Sequence, residues 1–155
     1  MIDPLYLKMI HILSATLLFG TGLGTAFHGL ASNLSGDVRA VAIANRNVVL
    51  ADWFFTTPAV IIQPVTGVLL AWDRWPLTAD WLVLSMVLYA FTGACWLPVV
   101  WLQIRMRRIA ERCAAEGTAL PPVYYRYFRI WFALGWPAFV SVIAIFWLMV
   151  FKPQF

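Results

Sequence analysis

The sequence predicts an all-α membrane protein, a bundle of four transmembrane helices. Three observations carry that reading. The chain of 155 residues is 63% hydrophobic and 12% charged, about half the charge of an ordinary soluble domain. Its apolar residues gather in four runs, each near the ~20 residues that cross a bilayer as a helix. Its basic residues gather too: of eleven Lys and Arg, eight fall between the first and second runs or between the third and fourth.

The first span covers about residues 5–30. Pro4 suits its first turn, where the missing N–H costs no hydrogen bond. The run is too long for a cleaved signal peptide and has no basic leader. Ser32, Asn33, Ser35 and Gly36 read as a turn. Ser35 is the expected cap of a helix beginning near Asp37, with Val38, Val41, Ala42 and Val48 continuing at helical spacing into a second span over about residues 48–72. Pro58 and Pro64 remove backbone donors there and predict kinks. A short connection containing Arg74, Trp75 and Pro76 leads to a third span, about residues 81–102, with a further bend expected at Pro98. Residues 103–129 read as a basic loop. Tyr124, Tyr125, Arg126, Tyr127 and Arg129 are of the type that sits among lipid headgroups. The fourth span is about residues 130–151, with Pro137 near its start. The whole chain is one membrane domain.

The distribution of charge sets the expected orientation. Arg39, Arg46, Arg105, Arg107, Arg108, Arg112, Arg126 and Arg129 share one side of a four-span bundle, against Lys8, Arg74 and Lys152 on the other. The positive-inside rule makes the first side cytoplasmic, so both termini are expected outside a bacterial inner membrane. The net charge of +4 is therefore a topology signal and not a nucleic-acid signal. Cys95 and Cys113 have neither the spacing of a metal pair nor a disulfide context.

Chemistry has few residues to use. There is no HExxH, no Ser-His-Asp set and no phosphate loop. All seven acids read as lying outside or at the ends of spans. Asp52 is expected to pair with Arg46 or to cap. The two histidines, His11 and His28, both lie in the first span, and intramembrane histidines face the bundle and find partners. His11 shares its face with Ser14, Ala15, Leu18, Gly22, Thr25, Ala26 and Gly29. That stripe of small residues admits a neighbouring helix, a second copy of the chain or a flat macrocycle. Two histidines 17 residues apart lie ~25 Å apart along a helix, so they cannot bind one metal within one chain. Met86, at a depth similar to His11, is the other candidate axial ligand for haem iron. Gln63 beside Pro64 is placed to bond the carbonyl that the proline frees, or a bound cofactor or quinone. Arg105 is placed to bind headgroups or propionate-like carboxylates.

The segments Leu7-Lys8-Met9-Ile10-His11-Ile12-Leu13, Gln63-Pro64-Val65-Thr66-Gly67 and Trp96-Leu97-Pro98-Val99-Val100-Trp101-Leu102-Gln103-Ile104-Arg105 resemble a bacterial family of predicted four-span membrane proteins, domain of unknown function 2269. The resemblance covers nearly the whole chain and implies the four-span fold, without an activity. A more distant resemblance is to the HemJ-type protoporphyrinogen oxidases, which are four-helix membrane proteins with an early histidine in span 1, proposed there as a ligand of haem b. It implies a ligand role for His11. Ser85 stands where that pattern has a lysine, so protoporphyrinogen oxidation does not carry over. A bound cofactor supplies chemistry that the chain lacks. The expected function is thus a small b-type haem protein that transfers electrons or oxidises a lipophilic, quinone- or porphyrin-like substrate. The alternative is a non-enzymatic accessory subunit or a permease for small solutes or metals.

Overall fold

Pro4 and the aspartate before it start the first helix in the computed structural model, which describes residues 3–72 and 74–154. Asp3 accepts a hydrogen bond from the Leu5 N–H at 2.8 Å, and α1 runs Pro4–Leu34. Gly36, at φ +71°, turns the chain in a conformation that glycine adopts without strain. The cap of α2 (Val38–Ala51) is Asp37, which accepts from the Arg39 N–H at 2.8 Å. Ser35 stands one step back and accepts from the Asp37 N–H at 3.2 Å.

The second membrane helix is continuous from Val38 to Trp72, ten residues longer than the expected span. It is α2, then a π-helical turn at Asp52–Thr56, then α3 (Thr57–Trp72). In the π turn the Thr57 N–H reaches back five residues to the Asp52 carbonyl. This widened turn comes just before Pro58, whose ring and missing N–H do not fit regular α geometry. The third and fourth spans also lie inside longer helices, α4 (Asp80–Glu116) and α5 (Pro122–Phe151). The expected basic loop is therefore mostly helix, and only residues 117–121 lie outside it. Gly117, at φ +66°, ends α4 in the left-handed conformation and bonds the Cys113 carbonyl.

The helices run past the expected spans and continue to bury apolar side chains there. At the arginine-rich end, Val41 and Ala42 of α2, Leu102, Met106 and Ala110 of α4, and Tyr124 and Trp131 of α5 form one core. Tyr124 is fully buried, and its hydroxyl accepts from Asn45 Nδ2 at 2.9 Å. At the terminal end a smaller core joins Ala71, Trp81, Leu82 and Leu148, and the Lys152 ammonium sits 4.9 Å from the Trp75 ring centroid. Between these ends, large apolar side chains such as Phe27, Phe54, Leu97 and Val150 point outward, as they do when the solvent is hydrocarbon.

Pro64, Pro98 and Pro137 all lie inside helices. Pro64 leaves the Val60 carbonyl, four residues back, without its helical donor. The hydroxyl of Tyr89 on α4 donates to that oxygen at 2.6 Å. Gln63, expected at this carbonyl, is engaged elsewhere. α1 packs on α2 and α3, and α4 packs on α2 and α5, whereas α1 and α5 meet at few residues. Phe19 stacks on Phe139 with centroids 5.2 Å apart, and Gly29 lies against Trp131. A cavity lined by Phe19, Phe139 and Trp131 lies between α1 and α5 here.

Candidate functional site

His11 lies on the face of α1 that meets α3, and both of its ring nitrogens are engaged there. Nδ1 is 2.8 Å from Thr66 Oγ1, and Nε2 is 3.3 Å from Gln63 Nε2. The Thr66 hydroxyl donates back to the Ile62 carbonyl at 2.7 Å, so it accepts from His11. That assigns the neutral tautomer with the proton on Nδ1, and Nε2 then accepts from the Gln63 amide. Ser14 completes the cluster by donating to Gln63 Oε1. Gly67 makes room for the ring, since a Cβ there would stand 3.2 Å from His11 Cε1. Four polar side chains thus satisfy one another at a helix contact surrounded by lipid, where an unpaired polar group is costly.

Of the residues singled out in the sequence, the structure brings His11 and Gln63 together and leaves the others apart. His28 is exposed on α1 near the arginine-rich end. Met86 is 50% exposed on α4 and takes no part in the His11 cluster. Arg105 lies over the Trp101 ring, 5.2 Å from its centroid. Cys95 and Cys113 are free and buried. Among the described residues no group of three or more His, Cys, Asp or Glu is arranged to hold a metal ion. Of the two glycines in the small stripe, Gly29 lies against Trp131 and Gly22 packs on nothing within the chain; Gly20 and Gly24, which lie off the stripe, also have open space around them.

The arrangement with most chemical potential centres on a residue that the sequence places at a span end. Asp52 is 6% exposed and opens the π turn, well inside the continuous helix Val38–Trp72. Arg46 is exposed and makes no ion pair with it. Thr56, at the other end of the π turn, donates to Asp52 Oδ1 at 2.9 Å. Gln103 approaches the carboxyl from α4. Asp52, Thr56 and Gln103 form the polar end of a cavity of about 270 Å³ between α1, the π turn and α3, α4 and α5. Its walls are mostly apolar, with Phe19, Trp96, Trp136 and Phe139 and aliphatic side chains such as Leu18 and Val142 beside Gly22, Gly93 and Gly135.

Four of the residues lining this cavity carry a buried polar atom without a hydrogen-bond partner among the described residues. The atoms are Asp52 Oδ2, Gln103 Oε1, Trp96 Nε1 and Trp131 Nε1. Gln103 and Trp131 also border, with Asn33 and its unpartnered Oδ1, a second space of about 10 Å³. Asp52 and Trp96 line the large cavity and not the smaller one. Buried polar groups are almost always paired, so two acceptors and two donors left over around one cavity mark a place for a ligand. The available sequence signal is an aspartate and a threonine four residues apart, ahead of a proline, in the apolar stretch that begins at Val48.

No curated protein and no solved structure shows significant similarity to the chain. A family model described as "Predicted integral membrane protein (DUF2269)" matches residues 5–153, and with four helices long and apolar enough to cross a bilayer the chain belongs to that family of multi-pass integral membrane proteins.

Proposed function

We infer that the chain is a membrane-embedded binding protein for a small lipophilic molecule with a polar head. The observation that carries this reading is the cavity between α1 and α5, mostly apolar along its walls and lined also by Asp52, Gln103, Trp96 and Trp131, each of which carries a buried polar atom without a partner. At about 270 Å³ it lies just below the 300–1,000 Å³ usual for drug-sized ligands. It suits one or two rings with a short substituent, such as a quinone head, better than a macrocycle. A hydroxyl on such a ring has a donor for Asp52 Oδ2 and an acceptor for Trp96 Nε1.

The test uses cavity filling. A Cβ at Gly93 or Gly135 meets nothing within 4 Å, and both glycines line the cavity, so Gly93→Leu with Gly135→Leu is the variant chosen to fill it. Native mass spectrometry of detergent-purified protein with 2-naphthol is expected to show a saturable 1:1 adduct in the unaltered chain and none in the double variant. Equal adducts in both would refute the reading.

Haem b with a redox role is the competing proposal, and it rests on His11. Iron at His11 needs a free ring nitrogen, and Nδ1 is engaged with Thr66 and Nε2 with Gln63; the other expected ligands, His28 and Met86, lie on exposed faces away from it. The residues as placed do not fit the group without opening one of these bonds. The haem proposal predicts a Soret band that disappears in His11→Ala. A homodimer through Gly20 and Gly24 is proposed on the ground that their open faces permit close helix approach.

A further inference from the structure

We propose that the ligand is a lipophilic organic cation, an aromatic or alkyl ammonium, which the Asp52 carboxyl takes up in exchange for its proton. The inference rests on the cavity as a binding site and adds the charge of what the cavity binds. Asp52 is the one acid among the described residues lining it, and no Lys, Arg or His lines it. The residues of α1 that face it carry no titratable group, and neither do those of α5. From α4 it meets the uncharged Gln103 and Tyr89, whose hydroxyl is committed to the Val60 carbonyl. The Arg107–Glu111 ion pair lies elsewhere on α4.

A carboxylate enclosed in this way without a cation is strongly unfavourable. The site is therefore neutral in one of two states: the carboxyl holds a proton, or the carboxylate holds a cation that the ligand brings. The walls favour such a ligand. The rings of Phe19, Trp96, Trp131, Phe132 and Trp136 surround the space in front of Asp52, and aromatic faces attract quaternary and protonated ammonium groups. Asp52 and Gln103, both lining residues, each carry a buried acceptor without a partner, Oδ2 and Oε1, so the cavity holds acceptors and no cation of its own. The exchange is balanced: protonated Asp52 and the free cation give the carboxylate–cation pair and one proton released to water, with no net charge left in the site in either state.

The test is calorimetric titration of the detergent-solubilised full chain with phenyltrimethylammonium, across pH and in two buffers of different ionisation enthalpy. The buffer pair counts the protons released per cation. tert-Butylbenzene has the same shape without the charge. The expected result is one-site binding that releases about one proton per cation on the acid side, with affinity falling about tenfold per pH unit there. tert-Butylbenzene is expected to bind at least about tenfold more weakly and to move no proton. Asp52→Asn is expected to lose both the proton release and the preference for the cation. The proton count on the unaltered chain decides the matter even if that variant folds poorly: saturable cation binding with no proton released at any pH would overturn the exchange. Equal binding of the two probes would overturn the cation preference and leave the cavity reading standing. Failure of both probes and of 2-naphthol would remove both.

Discussion

Tyr89→Phe is expected to destabilise the bundle only while Pro64 is present. The Tyr89 hydroxyl is the donor for the Val60 carbonyl at 2.6 Å, and that carbonyl needs one because residue 64, four residues on, is a proline inside α3. Removing the hydroxyl leaves a backbone acceptor facing apolar surroundings. An unpaired buried group costs about 1–3 kcal/mol. Side-chain hydrogen bonds between membrane helices average only ~0.6 and reach ~1.7 kcal/mol, because the unfolded chain in lipid finds other partners. The Val60 carbonyl has no helical alternative, which places the expected cost near the upper figure, about 1–1.5 kcal/mol, or close to tenfold in the folding equilibrium. In a Pro64→Ala background the new backbone N–H restores the regular helical bond to Val60, and Tyr89→Phe should then cost under ~0.5 kcal/mol, the scatter of independent sites. The assay is reversible unfolding in mixed micelles of dodecyl maltoside and SDS, followed by tryptophan fluorescence, on the parent, both single variants and the double variant. Equal cost of Tyr89→Phe in the two backgrounds would refute the argument, since the hydroxyl would then not be serving the carbonyl that the proline frees.

Three further outcomes follow from other contacts. Gly67→Val should cost about 1–3 kcal/mol by overpacking, because even a Cβ there stands 3.2 Å from His11 Cε1; the same unfolding assay measures it, and an unchanged midpoint would mean that the imidazole moves freely. Tyr124→Phe should cost about 1 kcal/mol by removing the partner of Asn45 Nδ2 in the arginine-rich core, and amide hydrogen exchange should rise there while the terminal end stays protected. Asp37→Ala should cost about 1 kcal/mol through loss of the α2 cap, whereas Ser35→Ala should cost less, a ranking that helix-resolved exchange at Arg39 reads directly.

The candidate site is legible in the sequence only in part. His11 and Gln63 stand out because a polar residue in an apolar run is conspicuous, and the structure does bring them together. Their partners Ser14 and Thr66 are less conspicuous, since small hydroxyl residues in membrane helices usually bond their own backbone. Gln63 reads most simply against the proline beside it, yet a side chain on a helix points away from its own chain neighbours toward the facing helix, and the freed carbonyl goes to Tyr89, 29 residues later. Hydropathy puts the start of the second span near residue 48 and so reads Asp52 as a residue near a span end, without showing that its side chain is buried among other helices. Helix α2 stays helical from Val38 by packing Val41 and Ala42 against α4 and α5, and that carries Asp52 into the interior.

Composition and periodicity by themselves determined the four helices, their order and the membrane as solvent, because each of these is a local property: a run of apolar residues must satisfy its backbone internally, and lipid leaves the helix as the economical way to do so. Tertiary structure alone decided which polar atoms are paired and which are left over. Whether Asp52 Oδ2 or Trp96 Nε1 has a partner depends on what three other helices place opposite it, and no single segment of the sequence carries that information.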